Sequence, residues 1–404
     1  MKKILTQNTV VINATNIGYK YQGIGVYSFN LLKEFSKIKT TLQFIVYVNK
    51  TAKIIIDELE FPNNFSIKWV SEKISPDYKF KGHLLRLLYS SWIALKHRNT
   101  LQFNTSQLEI NLFNKNQIIT IHDVIPLLFK HLHKKQYYYY KYLIGFGLKR
   151  AKYILTPSNH SKELLQSMFK LNGEQIKVIH NGSDNSNKKI KIPQLVKENY
   201  IMYVGRICEM KNISGLLKAF KIISKSYPHK IIFIGDDEKQ FKKEISRANL
   251  TEEVISKIIF KQNISEEEKT ELLSKASAFV FPSLYEGFGL PPIEAMACGC
   301  PVVVSKTSSL PEICGEAAIY IDPNNTIEIA TALEKVLSDK ILLNEMICRS
   351  VDRAKMFKWE FSAIEHLNVL SNVINHQRLG FAKNESDLEK VFNRRRNKIV
   401  SSPI

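Results

Sequence analysis

A chain of 404 residues, 44% of them hydrophobic, is long enough for two domains that each bury a core. No apolar run approaches the ~20 residues that a membrane-spanning helix requires. Gln7, Asn8 and Asn13 interrupt the apolar segment that a signal peptide would need after Met1. The five cysteines are odd in number and lack metal-site spacing, which favours reduced thiols over disulfides.

The net charge of +20 is concentrated in the first half of the chain. Residues 1–195 hold 29 Lys and Arg against 11 Asp and Glu, residues 196–375 hold 22 against 24, and residues 376–404 hold 7 against 3. This uneven distribution indicates that the basic surface serves a partner rather than general solubility. Anionic lipid, a phosphate-bearing acceptor and nucleic acid are all candidate partners of this basic surface. The alternative is that a compositional bias of the genome supplies the extra lysines and that no partner is involved.

Strand-length apolar segments alternate with helix-length segments along the chain. In the first half the predicted order is Val10–Asn13 (strand), Gly25–Lys37 (helix), Leu42–Val48, Phe65–Val70, Gln117–Ile121 and Tyr153–Thr156 (strands), His160–Lys170 (helix) and Ile176–His180 (strand). After a polar stretch at 181–199, a linker candidate, the order is Tyr200–Gly205 (strand), Ile213–Ser226 (helix), Lys230–Gly235 and Val254–Lys261 (strands), Glu266–Ala276 (helix), then strands at Ala278–Pro282 and Pro301–Ser305.

This alternation predicts an α/β protein with two doubly wound, Rossmann-like parallel sheets facing a cleft. We expect a first domain over residues 1–195 and a second over 196–375, whose last helices can pack back on the first. Residues 376–404 form a basic tail. Ligands of such sheets bind at the carboxyl ends of the strands, so the loops after those strands should line the cleft.

One loop, Tyr285-Glu286-Gly287-Phe288-Gly289-Leu290, carries the strongest chemical signal. Its glycines let backbone amides approach a ligand, and the predicted helix that follows begins at Pro291-Pro292 and ends at Gly299. Amides that lead into a helix N-terminus bind anions, typically phosphate.

Two carboxylates, Glu286 and Glu294, lie eight positions apart in this segment and would repel a bare phosphate. A ligand with both phosphates and hydroxyl groups would accept them, which points to a nucleotide sugar. The alternatives are that Glu294 only favours the helix dipole from the first helical turn and that Glu286 is a solvated loop charge.

Other candidate residues also follow predicted strands. After Gly205, Arg206 offers a bidentate fork and Lys211 a point charge, a combination suited to a diphosphate. His122 and Asp123 end another strand, where the aspartate can orient the imidazole or cap the next turn. Gly23 and Gly25 form a short glycine loop between the first strand and the first helix.

The acidic stretch 235–238 has the composition of a metal site but the pattern of a turn, with aspartate favouring the next helix. We therefore expect no metal. Two further segments, Lys79–Arg98 and Arg378–Lys398, combine basic residues with apolar bulk or a basic cluster and are candidates for membrane contact. A core helix with solvated ends and a disordered tail are the respective alternatives.

The Glu286-x7-Glu294 element, with Ser308–Glu312 and Gly315–Ala318, resembles retaining glycosyltransferases of family 4, which have the GT-B fold. The resemblance is closest to the bacterial mannosyltransferase-like branch that builds O-antigens, capsules and exopolysaccharides. It is continuous from about residue 200 to residue 323 and appears only as islands in the first half.

The resemblance implies roles for the candidate residues. Arg206 and Lys211 would bind the donor diphosphate, and His122 would contact the transferred sugar from the N-terminal side. The glycine loop at Gly23 and Gly25 would approach the donor phosphate or the acceptor, although many relatives have an arginine where this chain has Val26.

The expected function is therefore retaining, metal-independent hexosyl transfer from a nucleotide sugar, with GDP-mannose leading, to a glycan or lipid-linked acceptor in cell-surface polysaccharide biosynthesis. No cofactor is expected, and the location would be cytoplasmic or peripheral on the inner face of the plasma membrane. UDP- or dTDP-sugars and a GT-B sugar-nucleotide epimerase remain alternatives. A nucleic-acid binder is more remote, since no zinc finger, RNP-like motif or basic zipper supports it.

Overall fold

Two parallel β-sheets organise the molecule. The computed structural model describes residues 8–19, 23–112, 114–183 and 197–379. Within these residues the first sheet has seven strands in the order β3-β2-β1-β4-β5-β6-β7, and the second has six in the order β10-β9-β8-β11-β12-β13. Neighbouring strands are parallel throughout both sheets. The predicted α/β architecture with two doubly wound sheets is confirmed.

The strands have the following bounds: β1 Thr9–Ala14, β2 Gln43–Asn49, β3 Phe65–Val70, β4 Leu101–Asn104, β5 Gln117–Thr120, β6 Tyr153–Thr156, β7 Ile176–Val178, β8 Glu198–Val204, β9 Lys230–Ile234, β10 Ile258–Lys261, β11 Ala276–Phe281, β12 Val302–Ser305 and β13 Ala318–Ile321.

The α-helices have the following bounds: α1 Ile24–Lys37, α2 Lys53–Asp57, α3 Lys79–Lys96, α4 Ile125–Leu128, α5 Lys134–Tyr139, α6 Gly145–Arg150, α7 Asn159–Phe169, α8 Ile213–Ile223, α9 Glu238–Ala248, α10 Glu252–Ile255, α11 Glu266–Lys275, α12 Leu290–Ala297, α13 Leu310–Cys314, α14 Thr326–Ser338, α15 Lys340–Ala354 and α16 Trp359–Leu379. A π-helical turn, Tyr140–Ile144, joins α5 to α6.

Central strands are buried on both faces, as parallel sheets covered by helices require. Every residue of β11 is buried, and β1 is buried from Val10 onward. The strand order reverses beside β1 in the first sheet and beside β8 in the second, so the loops after β1, β4, β8 and β11 meet at these switch points. These loops, together with the residues that follow β5, carry the candidate site.

The last helix of the described chain crosses back to the first sheet. Trp359, Ala363 and Leu370 of α16 are buried in the same core as Tyr27 and Leu31 of α1. The expected boundary between 195 and 196 lies outside the described residues, as do most of the predicted linker and all of the tail from 380 onward. The assignment of residues 1–195, 196–375 and 376–404 as separate units therefore stays a prediction.

Two strands were missing from the prediction. β4 carries Gln102 and Asn104, whose polar side chains hide the apolar pattern of a strand. Inside the protein they are bonded, with the Asn104 Nδ2 atom donating to the Gln117 Oε1 atom at 2.9 Å. β13 is a four-residue strand at the edge of the second sheet, and three of its four residues are only partly buried.

The predicted strand Val254–Lys261 is wrong in its first half. Glu252 and Glu253, placed after Thr251, favour a helix N-terminus, and α10 ends at Ile255 before β10 begins. None of the described helices combines the length and apolar character needed to cross a membrane.

Candidate active site

An ion pair between Lys211 and Glu286 joins the loops that follow β8 and β11. The Lys211 ammonium donates to the Glu286 Oε1 atom, and the two side chains are only 13% and 11% exposed. The Lys211 Nζ atom also lies 5.2 Å from the centre of the Phe281 ring. A lysine that is largely shielded from solvent and held between a carboxylate and an aromatic face is fixed in position, so its charge is already placed for a ligand.

Two serines hold the 285–290 loop in shape. The Glu286 N–H donates to the Ser308 Oγ atom at 3.0 Å, and the Ser309 hydroxyl donates to the carbonyls of Glu286 and Phe288 at 3.0 and 2.8 Å. Gly289 has a φ of 111°, and a Cβ atom there would lie 2.8 Å from the Leu310 Cδ2 atom. Only glycine therefore suits this position.

The helix that follows the loop, α12, begins at Leu290 with Pro291 and Pro292 in its first turn. Proline has no N–H group, so a ligand at this helix end would be met by the amides of Gly289 and Leu290. This geometry restricts the anion-binding amides to the loop and the first helical residue.

Glu294 is the fifth residue of α12 and not a first-turn residue, which removes the helix-dipole alternative. Its Oε2 atom lies 3.0 Å from the Lys269 Nζ atom, and Lys269 also pairs with Glu266 at 2.8 Å. Burial alone would lower the pKa of Lys269, but the two carboxylates outweigh it and raise that pKa. Lys269 thus steadies the Glu294 carboxylate beside the loop, a contact that sequence reasoning missed.

Arg206 is exposed, with 72% of its side chain accessible. Its Nε atom lies 3.3 Å from the Asp236 Oδ2 atom, and the Asp236 Oδ1 atom accepts the Ile207 N–H at 2.9 Å. The structure brings Arg206 to the loop after β9 and not to the Lys211–Glu286 pair. Gly205, with a φ of 155°, begins this turn.

The acidic stretch after β9 is used by protein groups. The Asp236 carboxylate accepts a hydrogen bond from Arg206. The Asp237 side chain caps α9 by accepting the Gln240 N–H at 2.8 Å. The Asp236 contact was not predicted, although an aspartate and an arginine that follow neighbouring strands are a recognisable signal.

His122, at the end of β5, is buried and held in one tautomer. Its Nε2 atom donates to the Thr105 carbonyl at 3.0 Å, since a carbonyl can only accept, and its backbone N–H donates to the Gln107 Oε1 atom at 3.2 Å. The Tyr27 ring packs edge-on at 4.6 Å. Burial lowers the pKa of His122 to about 4, so a neutral imidazole keeps its Nδ1 lone pair.

Asp123 caps the next turn instead of orienting the imidazole. Its Oδ1 atom accepts the Ile125 N–H at 2.9 Å, at the start of α4. Burial raises the pKa of Asp123 to about 6, and the nearby Glu286 carboxylate adds to this shift while Lys211 opposes it. This electrostatic coupling connects the first domain with the ion pair of the second.

Thr105 and Gln107, which hold His122, come from the loop after β4, the strand that the sequence analysis missed. The polar run from Asn104 to Gln107 follows two apolar residues, Leu101 and Phe103, and was the available signal for a strand end.

The two domains meet at Gly287. A Cβ atom at Gly287 would lie 2.5 Å from the His122 carbonyl oxygen and 2.9 Å from the Asp123 Cβ atom. On the other side, the hydroxyls of Ser158 and Ser161 donate to the Gly287 carbonyl at 2.8 and 3.2 Å. The 285–290 loop is therefore clamped against two strand ends of the first sheet.

Glu312 makes a second contact across the cleft. Its carboxylate accepts the backbone N–H of Asn159 at 2.8 Å and that of His160 at 3.3 Å, at the N-terminus of α7, and the His180 Nε2 atom donates to it at 3.0 Å. Burial opposes ionisation, but these hydrogen bonds outweigh it and lower the pKa of Glu312. Sequence reasoning quoted Glu312 only within the family resemblance.

The glycine loop near the first helix lies at its predicted place. Gly23 precedes α1 with a φ of 54°, and Gly25 is buried in the first turn of α1. Residues 20–22 lie outside the described part of the chain. Tyr27, one turn further along α1, reaches the His122 ring, so this loop and His122 share a rigid support.

Two doubly wound domains whose loops meet in this way have the GT-B architecture of glycosyltransferases. Two family models match consecutive parts of the chain: "Glycosyltransferase Family 4" matches residues 21–187, and "Glycosyl transferases group 1" matches residues 184–351. The chain belongs to glycosyltransferase family 4, and it is similar to bacterial mannosyltransferases.

The similar proteins include the O-antigen chain mannosyltransferase RfbU of Salmonella typhimurium, 29% identical over 81% of this chain and 90% of the relative. The O-antigen chain mannosyltransferase B of Escherichia coli is 29% identical over 89% of this chain and 98% of the relative.

Among solved structures, sucrose-phosphate synthase from Thermosynechococcus elongatus superposes with a TM-score of 0.73 at 18% identity, over 91% of this chain and 99% of that one. Anabaena HepE in complex with UDP and glucose superposes with a TM-score of 0.69 at 15% identity, over 90% and 99%. At these identities the likeness shows the GT-B fold.

Proposed function

We propose that this glycosyltransferase moves mannose from GDP-mannose to a glycan or lipid-linked acceptor, with retention of the anomeric configuration, in the synthesis of a bacterial surface polysaccharide. The observation that carries the proposal is the Lys211–Glu286 pair beside the 285–290 loop, with Glu294 two residues after Pro292 in the helix that follows. This arrangement offers cation, amides and carboxylates to one ligand. The two mannosyltransferase relatives support the choice of sugar.

The second domain would bind the donor. Glu294, steadied by Lys269, would accept hydrogen bonds from the ribose hydroxyls. Glu286 and the amides of Phe288, Gly289 and Leu290 would hold the sugar hydroxyls. A carboxylate accepts hydrogen bonds at two oxygens, so the Glu286 oxygen that does not face Lys211 can serve the sugar.

Lys211 and Arg206 would stabilise the negative charge that builds on the departing diphosphate. Lys211 is already fixed, whereas Arg206 is exposed and has one weakly held partner, Asp236, which it can leave. Interactions that strengthen as the diphosphate leaves stabilise the transition state more than the ground state and therefore raise the rate. Because these two cations and the loop amides carry the phosphate charge, the proposal requires no metal.

The first domain would present the acceptor. Neutral His122 would contact the transferred sugar through its unprotonated Nδ1 atom, and Asp123 and the Gly23–Gly25 loop would border the acceptor. We propose attack on the face that the diphosphate leaves, with the leaving phosphate taking the proton of the acceptor hydroxyl. The contacts at Gly287 and Glu312 favour a closed cleft, which limits donor hydrolysis.

A UDP-sugar is the second candidate donor, because the similar fold of Anabaena HepE was solved with UDP and glucose. A thermal-shift panel with GDP, UDP, dTDP, CDP and ADP, with and without magnesium, separates these cases. We expect GDP to raise the melting temperature in either condition. The gain should disappear in Glu294→Ala and persist in Glu271→Ala, which changes an exposed carboxylate on α11.

Stabilisation by UDP instead of GDP would overturn the mannose donor, and the absence of any nucleotide response would overturn the transferase proposal. Donor conversion without an added acceptor would indicate an epimerase. Retention is read by NMR from the one-bond carbon–proton coupling at the anomeric carbon of the product, because the H1–H2 coupling of mannose is small in both anomers.

A further inference from the structure

Helix α3 exposes an apolar stripe on its outer side, although its inner side also carries apolar residues such as Ile93, which is 1% exposed. Its outward stripe is apolar, with Leu88 64% and Leu95 76% exposed, and it also contains Leu84, Leu85 and Trp92. Leu84 and Leu85 are each followed three or four residues later by Leu88, and Trp92 and Leu95 continue the same spacing, so the five residues lie on one face. A water-exposed helix normally turns such a stripe toward the core.

The inward face of α3 explains why the leucines do not turn in. Arg86 and Ser90 are both 2% exposed and point to the same partner. The Arg86 Nε atom lies 3.4 Å from the Glu109 Oε1 atom, and the Ser90 hydroxyl donates to the Glu109 carbonyl. Rotation of α3 about its axis would leave the buried Glu109 carboxylate without its cation, which is costly, so the leucines are held outward.

The segment α5–π–α6 presents a second apolar face on the same side of the sheet. Tyr138, Tyr142, Leu143 and Phe146 are exposed. The inward residues of this segment share a core with Leu87 of α3, and the rings of His83 and Tyr139 are 5.1 Å apart. We call the exposed residues of these two segments the outer apolar face; they are Leu84, Leu85, Leu88, Trp92, Leu95, Tyr138, Tyr142, Leu143 and Phe146.

The two stretches of chain that carry the outer apolar face have charge of one sign. Residues 78–108 contain five Lys and Arg, including the buried Arg86, and residues 124–162 contain eight, while neither stretch contains Asp or Glu. Several of the cations lie over exposed rings: Lys96 over Trp92 at 4.7 Å, Lys141 over Tyr142 at 5.3 Å and Arg150 over Phe146 at 4.9 Å.

We propose that the outer apolar face docks on an anionic lipid bilayer, with its leucines and aromatic rings in the head-group region and its lysines against the phosphates. Amphipathic aromatic rings and long basic side chains suit that boundary. A second copy of the chain is a poor occupant, because two acid-free basic faces would repel each other.

The chain links the face to the cleft through a short segment. Helix α4 follows Asp123 of the site, and between α4 and α5 the His131 Nε2 atom lies 3.1 Å from Glu209 of the donor-side domain. A lipid-linked acceptor would then reach the site without leaving the bilayer. This consequence rests on the proposed function, whereas the docking itself does not.

Flotation of the full chain with vesicles tests the proposal. We expect flotation with vesicles of phosphatidylcholine and phosphatidylglycerol and little with phosphatidylcholine alone. Leu88→Gln/Leu95→Gln should weaken anionic-vesicle binding about tenfold or more. The matched control, Ile327→Gln/Ile341→Gln, changes two residues that are 71% and 75% exposed in the other domain and should float like the unchanged protein.

A charge pair completes the test. Lys134→Glu/Lys141→Glu should weaken binding to the anionic vesicles about tenfold or more, whereas Lys239→Glu/Lys243→Glu, on α9, should not. The proposal would be overturned if the protein did not float, or if Leu88→Gln/Leu95→Gln bound the vesicles as well as the unchanged protein. It would also be overturned if the unchanged protein were a dimer and this variant a monomer. Melting temperature and the shift by GDP report folding and donor binding separately, so a failed docking and a failed donor assignment are distinguishable.

Discussion

At the residue scale, the two cations assigned to the diphosphate stand in different environments. Lys211 is largely shielded from solvent beside Glu286, whereas Arg206 is mostly in solvent beside Asp236. An exposed ion pair contributes about 0–1 kcal/mol to stability, while removing one partner of a buried pair costs about 3 kcal/mol or more. The two residues should therefore separate catalysis from stability.

Arg206→Ala should lower turnover by more than tenfold, about 1.4 kcal/mol or more of transition-state stabilisation, and leave the free energy of unfolding nearly unchanged. Lys211→Ala should lower both, because it leaves the Glu286 carboxylate buried without its cation. Turnover assays and urea unfolding measure the two effects, with Lys218→Ala, an exposed lysine on α8, as control. Near-normal turnover of Arg206→Ala would remove that residue from the mechanism.

Asp123 should make stability depend on pH. Its pKa in the folded protein is about 6 against an ordinary 3.8, so ionising it costs the folded state free energy as pH rises through this window. Asp123→Asn keeps the oxygen that accepts the Ile125 N–H and removes the charge. The variant should thus gain melting temperature over the unchanged protein from pH 4 to about pH 7.

Thermal unfolding of both proteins across this pH range measures the difference, and the same comparison with Asp57→Asn, at an exposed position, is the control. A difference that stays constant with pH would show that the Asp123 carboxyl is not destabilised by its surroundings.

At the element scale, the 285–290 loop is held on both sides by residues of the two domains. Ser308 and Ser309 fix it from one side, and Ser158 and Ser161 hold the Gly287 carbonyl from the other. The close approach of Gly287 to the His122 carbonyl leaves no space for a side chain.

Gly287→Ala should therefore push the loop away from β5 and lower turnover, while nucleotide binding, which uses the second domain, is retained. In the matched control, Gly173→Ala, the added methyl group meets only the flexible end of Gln166 and should change little. Turnover and nucleotide affinity are measured on both variants. Full activity of Gly287→Ala would mean that the contact with His122 is not part of the active geometry.

At the scale of the whole molecule, Glu312 connects one domain to a helix N-terminus of the other. Its carboxylate accepts from Asn159, His160 and His180, and hydrogen bonds to a charged group contribute about 1.5–3 kcal/mol each. Loss of several such bonds is enough to change the balance between closed and open domains, since 1.4 kcal/mol is a factor of ten.

Glu312→Ala should open the cleft, which small-angle scattering measures as a larger radius of gyration without donor, and it should lower turnover about tenfold or more. Glu316→Ala, which removes an exposed carboxylate four residues later, is the control. An unchanged radius of gyration in Glu312→Ala would show that this contact does not hold the domains together.

Much of the architecture was predictable because it is encoded by neighbours in the chain. Burial of parallel strands on both faces leaves continuous apolar runs, such as 276–281, that are visible in the sequence. The loop between Tyr285 and Leu290 was equally visible, because glycine, proline and carboxylate spacing is local. The strand β4 was not predicted, because the hydrogen bonds that let Gln102 and Asn104 be buried form only in the folded protein.

Local spacing by itself thus determined the two-sheet α/β class and the segment that carries Glu286 and Glu294. Tertiary structure alone decided the partners of these residues: Lys269 for Glu294, Asp236 for Arg206, the loop after β4 for His122, and the outward rotation of α3. The physical reason is that each of these contacts joins residues far apart in the chain. Their distance depends on how sheets and helices pack, and no short-range pattern records that packing.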